Sequence, residues 1–370
     1  MTKKLQQYGI DSTFLIAFSV LVIGGLVILQ TASSVASFNE TGNHYHYFTN
    51  QLVRGVLPGV ILFMTLSSIP YQVWKKLSLL IIGGALVVNA LVLVPGIGLE
   101  LKGASRWLDL GPIAFQPSEL LKLALILYLA MILSKLGPKI NTWGALVSVL
   151  VVLSLTVGIV AVIQSDLSTA LVLLVIAASM LFQSQIGLSK ILILALVGVI
   201  AGIGFIAMEP YRLARVQTFV QGGEENSLGQ GYHVQQNLIA VGSGGVSGVG
   251  WNQSRQKFNY VPETTADSVF AIFAEESGLV GIVLLTILYL VISVRLIQIS
   301  GRLPDSYGQF IIIGVVTWFV FQSFLNIGST MKLIPLTGMT LPFISYGSSS
   351  LWVLFAGFGI VANVTKYRKE

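Results

Sequence analysis

The residues of this chain that are best suited to chemistry lie in one polar segment, 209–267, of an otherwise apolar sequence. Arg212, Arg215, Lys257 and Asp267 fall within it. Guanidinium and ammonium groups bind anions, and a carboxylate can take up a proton during a reaction. A simpler interpretation exists for each: the basic side chains could extend to a membrane interface, and Asp267, which stands where the segment meets an apolar run, could cap a helix. The residues alone leave both interpretations open.

Charged residues also occur within or between apolar runs, where they are normally functional or paired. Glu119 and Lys122 are three residues apart, which places them on one face of a helix and predicts an ion pair that is either structural or part of a site. Glu275 and Glu276 lie inside a later apolar run, and we expect a structural role for at least one of them. Asp166 lies in a tight polar segment between two apolar runs, where it could orient a cation or a hydroxyl.

Metal and nucleotide chemistry find little support in the sequence. The chain has no cysteine, and its three histidines are His44, His46 and His233. His44 and His46 could approach a metal ion, but one short segment supplies only two ligands, so no metal site is predicted there. The sequence contains no Walker A motif, dinucleotide fingerprint or metalloprotease helix motif.

The elements that must position these residues are membrane-spanning helices. Of the 370 residues, 54% are hydrophobic and 10% are charged, and the mean hydropathy is +0.84. A soluble domain carries about 25% charged residues, so this composition indicates a chain in lipid. We predict an all-α, polytopic bundle of about ten spans, because a helix needs roughly 20 apolar residues to cross the hydrocarbon core. The spans are predicted at 12–32, 52–70, 77–95, 119–136, 144–163, 168–185, 188–208, 268–294, 307–328 and 348–366.

The distribution of charge predicts the orientation of the bundle. If the chain starts in the cytoplasm and crosses ten times, the inner segments hold 12 of the 21 basic residues and three of the 15 acidic residues. Cytoplasmic segments of membrane proteins are rich in lysine and arginine, so both termini are predicted to be cytoplasmic. The net charge of +6 is then a sign of topology, and no nucleic acid partner is expected. The first apolar run has the length of a span and lacks a cleavage site, so it is expected to remain as a helix.

This orientation places two long segments outside the cell, 96–118 and 209–267. Loops of this length are usually functional. The longer one, between the seventh and eighth spans, is rich in glycine but also contains apolar residues such as Trp251 and Phe258. We therefore expect short helices on or in the outer membrane face. The whole chain, 1–370, is predicted to form a single membrane domain.

Four blocks of sequence fall on the predicted outer side. They are Gly103-Ala104-Ser105-Arg106-Trp107 with Gln116-Pro117-Ser118-Glu119-Leu120-Leu121-Lys122; Gln164-Ser165-Asp166-Leu167-Ser168-Thr169-Ala170; the stretch from Gly229-Gln230-Gly231-Tyr232 through Gly242-Ser243-Gly244-Gly245 to Val261-Pro262-Glu263, Asp267 and Glu275-Glu276; and Pro335-Leu336-Thr337-Gly338 with Leu341-Pro342-Phe343-Ile344-Ser345-Tyr346-Gly347-Ser348-Ser349. In this order they resemble the SEDS family (shape, elongation, division and sporulation), which includes FtsW and RodA. With the ten spans, the resemblance covers essentially the whole chain.

The chain departs from the family pattern at a few positions. Ser165 and Ser168 stand where proline and glycine are usual, Ser348 stands where a second glycine is usual, and Thr264-Thr265-Ala266 stands where the family usually has a histidine. None of these departures removes a charged residue. The segment Ser254-Arg255-Gln256-Lys257 is more similar to the division branch, FtsW, than to the RodA branch.

The resemblance implies a peptidoglycan glycosyltransferase of the bacterial cytoplasmic membrane, with its active face outside. Such enzymes polymerise lipid II, a disaccharide-pentapeptide on undecaprenyl pyrophosphate, and invert the anomeric centre. The implied partners are lipid II, a class B penicillin-binding protein that crosslinks the glycan, and other membrane proteins of the divisome or elongasome. No cofactor is assigned, and a divalent cation, Mg²⁺ or Mn²⁺, is the one that could assist the pyrophosphate.

The same resemblance suggests roles for individual residues. Asp267 is expected to be the general base that takes the proton of the acceptor hydroxyl. Arg106, Lys122, Arg212 and Arg215 are expected to hold the pyrophosphate, a leaving group that needs cations rather than a general acid. Further candidates for substrate binding are Trp107, Glu119, Asp166, Gln235, Lys257 and Ser345.

The fourth block contains Pro335, Gly338 and Pro342, which interrupt helices. Non-helical backbone at membrane depth is tolerated only where it is buried in protein or lines a wet cavity, so this block is expected to line the substrate site. Two other functions compete with the enzyme: a lipid II flippase, and a scaffold without chemistry that recruits a cell-wall synthase. A flippase needs a polar path between the two membrane faces, whereas the unusual residues lie almost wholly on one side.

Overall fold

The computed structural model describes residues 8–94, 96–101, 104–109, 111, 114–207, 213, 219 and 230–369. Within these residues, nine apolar helices are long enough to span a membrane, and a tenth has 17 residues. These helices confirm the predicted all-α bundle of about ten spans. The helices are α1 (Ser12–Thr41), α2 (His46–Ser68), α3 (Gln72–Ala90), α4 (Pro117–Leu136), α5 (Trp143–Ile163), α6 (Leu167–Gln183), α7 (Leu188–Ala207), the short α8 (Gln230–Ser243), α9 (Val269–Ser300), α10 (Ser306–Thr330) and α11 (Ser348–Thr365).

Local signals set the start and the end of α1. The Asp11 carboxylate accepts a hydrogen bond from the backbone N–H of Phe14 at 3.0 Å, and Gly42 ends the helix with a φ of 72°. The helix extends well beyond the end predicted at residue 32. Ser33 and Ser37 lower the hydropathy of this extension, but both are fully buried against the protein, so the helix continues where the apolar pattern weakens.

An aromatic cluster packs the interior where α1, α2 and α11 meet. The ring centroid of Phe18 lies 5.1 Å from those of Phe343 and Phe358, 5.2 Å from that of Phe63 and 5.7 Å from that of Phe355. Lipid tails are as apolar as these side chains, so close packing rather than removal from water holds such helices together.

Both ends of the described chain lie at one end of the bundle, which we call the terminal face. The backbone N–H of Tyr8 donates to the carbonyl oxygen of Lys366 at 2.7 Å. Asp11 and Arg295 form a two-pronged ion pair, with Nε donating to Oδ1 at 3.0 Å and a terminal nitrogen donating to Oδ2 at 2.7 Å. This pair joins α1 to α9. The assignment of the terminal face to the cytoplasm stays a prediction from the charge pattern.

The opposite end, which we call the site face, contains structure that the sequence did not predict. The described residues of segment 96–118 include a small antiparallel sheet with the strands β1 (Gly98–Leu101), β2 (Ala104–Asp109) and β3 (Ala114–Phe115). Strands this short have no recognisable alternation of apolar and polar residues. α8 is a short helix within 209–267, as expected. That it lies on or in the outer membrane face stays a prediction.

Glycines join α8 and the segment that follows it to α9. Gly278 has a φ of 61° and interrupts α9, so the neighbouring backbone groups need partners elsewhere. The loop supplies them: Leu279 N–H donates to Gly245 O at 2.9 Å, and Val280 N–H donates to Val246 O at 3.1 Å. A Cβ added at Gly244 would overlap the carbonyl oxygen of Ala274 in α9.

This close contact predicts different effects for two neighbouring glycines. We expect Gly244→Ala to destabilise the protein by about 1–3 kcal/mol, because the backbones of the loop and of α9 must move apart. Gly242→Ala is the matched control, since a Cβ there meets no atom within 4 Å, and alanine favours helix more than glycine. Thermal unfolding in detergent measures both. Equal stability of the two variants would contradict the prediction.

The Asp11–Arg295 pair predicts how stability depends on pH. The hydrogen bonds from Arg295 hold the pKa of the Asp11 carboxyl below its usual range, against the opposing effect of burial. A carboxylate of this kind contributes stability that is complete above its unfolded-state pKa of about 3.9 and is lost as the pH falls through the lower folded-state value.

We therefore expect Asp11→Asn to lower stability by about 2 kcal/mol at pH 7, because a charge-assisted hydrogen bond is weakened. The difference from the wild type should stay constant down to about pH 5 and shrink below about pH 4. Unfolding curves recorded from pH 7 to pH 3.5 measure it. A difference that persists unchanged at the lowest pH would contradict the assignment.

Candidate active site

A non-helical segment, 331–347, joins α10 to α11 at the site face, and the interruption of the helices is the one expected from the fourth sequence block. That this block lines a substrate site stays a prediction. Its backbone carbonyls are paired with side chains of the surrounding helices. Asn326 Nδ2 donates to Met339 O at 2.7 Å, Gln322 Nε2 donates to Thr340 O at 3.0 Å, and the Tyr289 hydroxyl donates to Pro342 O at 2.7 Å. The segment is thus held in one conformation deep in the bundle.

Asp267 lies at the junction of this segment with the start of α9. Its own carbonyl oxygen accepts a hydrogen bond from Asn326 Nδ2 at 2.9 Å. The preceding residues are joined to the segment as well: Ser345 Oγ donates to the carbonyl of Ala266, and Tyr346 N–H donates to Thr265 O at 2.8 Å. The carboxylate is 12% exposed. It is therefore a nearly buried acid on a backbone that is fixed from two sides.

The loop that precedes α9 is tight around Asp267. Ala266 N–H and Ser268 N–H both donate to Glu263 O, at 3.1 Å and 3.3 Å. Asp267 lies two residues before Val269, the first residue of α9, and Ser268 is the residue between them. The backbone on both sides of Asp267 is therefore held by hydrogen bonds.

The first and second sequence blocks meet beside this junction. Arg106 of β2 donates through Nε to Gln164 O at 2.8 Å and through a terminal nitrogen to Ser165 O at 2.7 Å. Ser168 Oγ in turn donates to Thr337 O at 2.9 Å. Gly338 follows Thr337, and a Cβ added at Gly338 would lie 3.9 Å from Asp267 Oδ2. Hydrogen bonds and short stretches of backbone thus connect Arg106 to the surroundings of Asp267.

Two further predicted residues of this region have defined surroundings. Asp166 caps α6, because its Oδ1 accepts from Thr169 N–H at 3.0 Å and its Oδ2 accepts from Thr169 Oγ1 at 2.8 Å. Trp107 is partly buried next to Arg106 in β2. Capping uses both carboxylate oxygens of Asp166, so its main contribution in this structure is to hold the second block in place.

Lys122 lies at the centre of a buried polar network on α4. Its ammonium group donates to Glu119 Oε1 at 2.8 Å and to Gln322 Oε1 at 2.9 Å, and it lies 5.0 Å from the ring centre of Trp318. Glu119 Oε2 accepts from Ser350 Oγ at 3.0 Å. The predicted Glu119–Lys122 ion pair is confirmed. Because Gln322 also donates to Thr340 O, this network is bonded to segment 331–347.

Lys257 and Glu276 form a second buried pair at 3.0 Å, and Lys257 also donates to Asn252 Oδ1 at 2.6 Å. Glu275 accepts hydrogen bonds from Ser254 Oγ and from the backbone N–H of Arg255. The expectation of a structural role for at least one of the two glutamates is met by both. The predicted role of Lys257 in substrate binding stays a prediction, since its charge is engaged inside the protein.

The remaining predicted residues are placed as follows. Gln235 is exposed on α8, and Ser345 uses its hydroxyl to join Leu341 N–H, at 2.8 Å, to the Asp267 loop. Arg212 and Arg215 lie outside the described residues. Within the part of the chain that the structure describes, no three histidine or acidic side chains converge on a point where a metal ion could bind.

One neighbour of Asp267 had no predicted role. His233 of α8 places Nε2 at 2.6 Å from Ser268 Oγ and at 4.0 Å from Asp267 Oδ1. The available signal was its rarity, because it is one of three histidines and the one inside the polar segment. Its proximity to Asp267 could not be read from a separation of 34 residues.

This arrangement of ten apolar helices around one carboxylate-centred polar site defines a multi-pass membrane protein with a single organised face. The family of cell cycle proteins FtsW, RodA and SpoVE matches residues 11–370. The chain therefore belongs to this family, which confirms the resemblance to SEDS proteins.

Individual relatives agree with this assignment. Stage V sporulation protein E of Bacillus subtilis (strain 168) is 34% identical over 97% of this chain and 98% of its own length. The probable peptidoglycan glycosyltransferase FtsW of Shewanella sediminis (strain HAW-EB3) is 33% identical over 97% of this chain and 87% of its own length.

The fold is shared with a solved structure. A chain of a complex described as "Structural coordination of polymerization and crosslinking by a peptidoglycan synthase complex" superimposes with a TM-score of 0.79 at 29% identity. The match covers 96% of this chain and 97% of that one. The names of the relatives agree with the enzyme class expected from the sequence.

The Lys122 network predicts a non-additive response to mutation. Lys122→Met leaves a buried glutamate without its cation, and we expect a loss of about 3–5 kcal/mol of stability. The double variant Glu119→Gln with Lys122→Met removes both charges, so it should be more stable than Lys122→Met alone. Thermal unfolding in detergent measures the cycle. A double variant less stable than the single one would contradict the network as described.

Proposed function

We propose that this protein polymerises lipid II into glycan strands at the outer face of the bacterial cytoplasmic membrane. The observation that carries the proposal is the convergence of four separated sequence blocks on Asp267, at the end of the bundle opposite the termini. Membership of a family whose relatives are named peptidoglycan glycosyltransferases supports it.

The chemistry that we assign to Asp267 is general base catalysis. An acceptor hydroxyl is a poor nucleophile, so its proton must be removed as the new glycosidic bond forms. Asp267 accepts that proton, and the oxygen attacks the anomeric carbon from the face opposite the pyrophosphate, with inversion. Glycosidases that hydrolyse sugars need a second carboxylic acid for a poor leaving group. A pyrophosphate leaves as a stable anion, so one carboxylate is sufficient.

The departing pyrophosphate requires positive charge. Arg106 is the described candidate for this charge, and the Gln164 and Ser165 carbonyls accept from two of the five N–H groups of its guanidinium. Arg212 and Arg215 complete the proposed set. Trp107, Gln235 and Ser345 remain candidates for contacts to the sugars or the peptide.

The buried candidates act at a distance in this proposal. Lys122, Glu119 and Lys257 are engaged in ion pairs inside the protein, where they maintain the shape of the site. Assistance by Mg²⁺ or Mn²⁺ is a further proposal with little support from the described residues, because Asp267 is joined by no two other metal-binding side chains there. The mechanism above uses no metal ion.

We further propose that the partner is a class B penicillin-binding protein, a single-span transpeptidase. The similarity to a chain of a peptidoglycan synthase complex supports a pairing of polymerisation with crosslinking. Ser254–Lys257 resembles the FtsW branch, which favours a role in cell division over elongation, within a larger assembly of divisome membrane proteins.

Two alternatives give different outcomes in the same experiment. A lipid II flippase would move substrate across proteoliposomes without forming polymer. A scaffold would keep its function when Asp267 is replaced. The aromatic cluster around Phe18 and the one-sided placement of the polar blocks favour the enzyme, since neither provides a polar path through the bundle.

We expect Asp267→Asn to reduce glycan formation at least a hundredfold, because the amide cannot accept the proton. The full chain is purified with its transpeptidase partner, supplied with lipid II, and the polymer is separated by gel electrophoresis. Glu40→Gln, which changes an exposed carboxylate at the same end of the bundle, is the matched control and should retain wild-type activity. Polymer formation by Asp267→Asn at the wild-type rate would refute the assignment of the base.

A further inference from the structure

His233 stands out among the groups that the proposed mechanism leaves unused. It is 8% exposed, it lies on α8, and its ring faces the start of α9, where the proposed base is located. A buried histidine within 4.0 Å of a reacting carboxylate is in a position to influence that carboxylate. The inference below rests on the proposed function and deepens it.

The Ser268 hydroxyl is used in an unusual way. Ser268 is the residue that precedes α9, a position at which a serine side chain ordinarily accepts from a backbone N–H of the first turn. Ser268 makes no such bond. Its hydroxyl lies 2.6 Å from His233 Nε2, a short hydrogen bond between two fully or nearly buried groups.

Two contacts with α9 hold α8, and with it His233, in place. At one end of the helix pair, the imidazole is bonded to Ser268; further along, Gly244 packs directly on the backbone of Ala274. The two contacts are separated by 11 residues on one side and by six on the other, so α8 runs beside the first part of α9 and cannot slide without breaking both. The imidazole is therefore a fixed reference for the first residues of α9.

The hydrogen bond between His233 and Ser268 also affects the proposed base. Asp267 and Ser268 are consecutive, so a bond that fixes the Ser268 side chain also fixes the peptide that carries Asp267. Asn326 holds the same peptide at its carbonyl oxygen, and His233 adds a constraint on the adjacent Ser268 side chain. A carboxylate that must meet an acceptor hydroxyl within about 3 Å gains rate from such restraint, and a displacement of 1 Å can cost about a hundredfold.

We propose that His233 is a positioning residue for the proposed base, which it acts on through the Ser268 hydroxyl. The hydrogen bond, rather than the charge of the imidazole, carries the effect. Glutamine at this position can supply a polar atom at a comparable reach and cannot titrate, so it should replace histidine. Alanine removes the bond altogether.

The test measures initial rates of polymerisation of lipid II by the purified full chain with its transpeptidase partner. We expect His233→Ala and Ser268→Ala each to lower kcat about tenfold to a hundredfold while KM changes less than twofold. The kcat of the double variant should be no lower than that of the less active single variant, because both changes break the same bond. His233→Gln should restore kcat to within about threefold of the wild type across the pH range in which the wild type is active.

The controls separate this inference from a folding defect and from the proposed function. His44→Ala removes an exposed histidine of the same face and should leave kcat unchanged, and the thermal stability of every variant is measured together with its kcat. If His233→Ala raises KM with an unchanged kcat, if the two losses add in the double variant, or if glutamine does not rescue, the positioning role is wrong. When the wild type forms polymer and Asp267→Asn does not, any of these outcomes for the His233 variants overturns the positioning role alone. If the wild type forms no polymer, the proposed function itself fails.

Discussion

Segment 331–347 is not helical, so its backbone groups lack the partners that a helix would provide inside the apolar bundle. The rest of the site depends on how these groups form hydrogen bonds. Water is absent from the hydrocarbon core, so each unpaired carbonyl there would cost several kcal/mol. The Asn326 and Gln322 amides and the Tyr289 hydroxyl, on two neighbouring helices, supply the donors. These side chains fix the position of the segment. The segment in turn bonds to the carbonyls of Thr265 and Ala266, directly before Asp267.

The same constraint explains why the bundle contains the buried charges of Lys122 and Glu119. Gln322 can orient its amide toward Thr340 because its oxygen is engaged by Lys122, whose charge is balanced by Glu119. Each member of the network is bonded on more than one side, which is the condition under which buried polar groups add rigidity instead of instability. The network therefore contributes to the site through geometry, at some distance from the carboxylate.

A second device operates at α9. Its interruption at Gly278 frees backbone groups, and segment 245–250 pairs with them as a strand would. Close approach of the two backbones requires the absence of side chains, which accounts for Gly244 and Gly248 in the glycine-rich block. The buried ion pair of Lys257 with Glu276 joins the residues that follow segment 245–250 to α9 as well. The glycine-rich segment 244–250 is therefore a packed element that holds α8 against α9.

The amino-acid sequence by itself determined the helices, their number and the separation of a basic end from an end with unusual residues, because apolar length and charge are local properties that each span carries on its own. It also predicted the Glu119–Lys122 pair, whose members are one helical turn apart. It could not show that Arg106 bonds to the carbonyls of residues 164 and 165, that α8 packs on α9, or that His233 lies beside Asp267. These contacts join residues far apart in the chain, and only the packing of the helices, with the pairing that an apolar interior demands, brought them together.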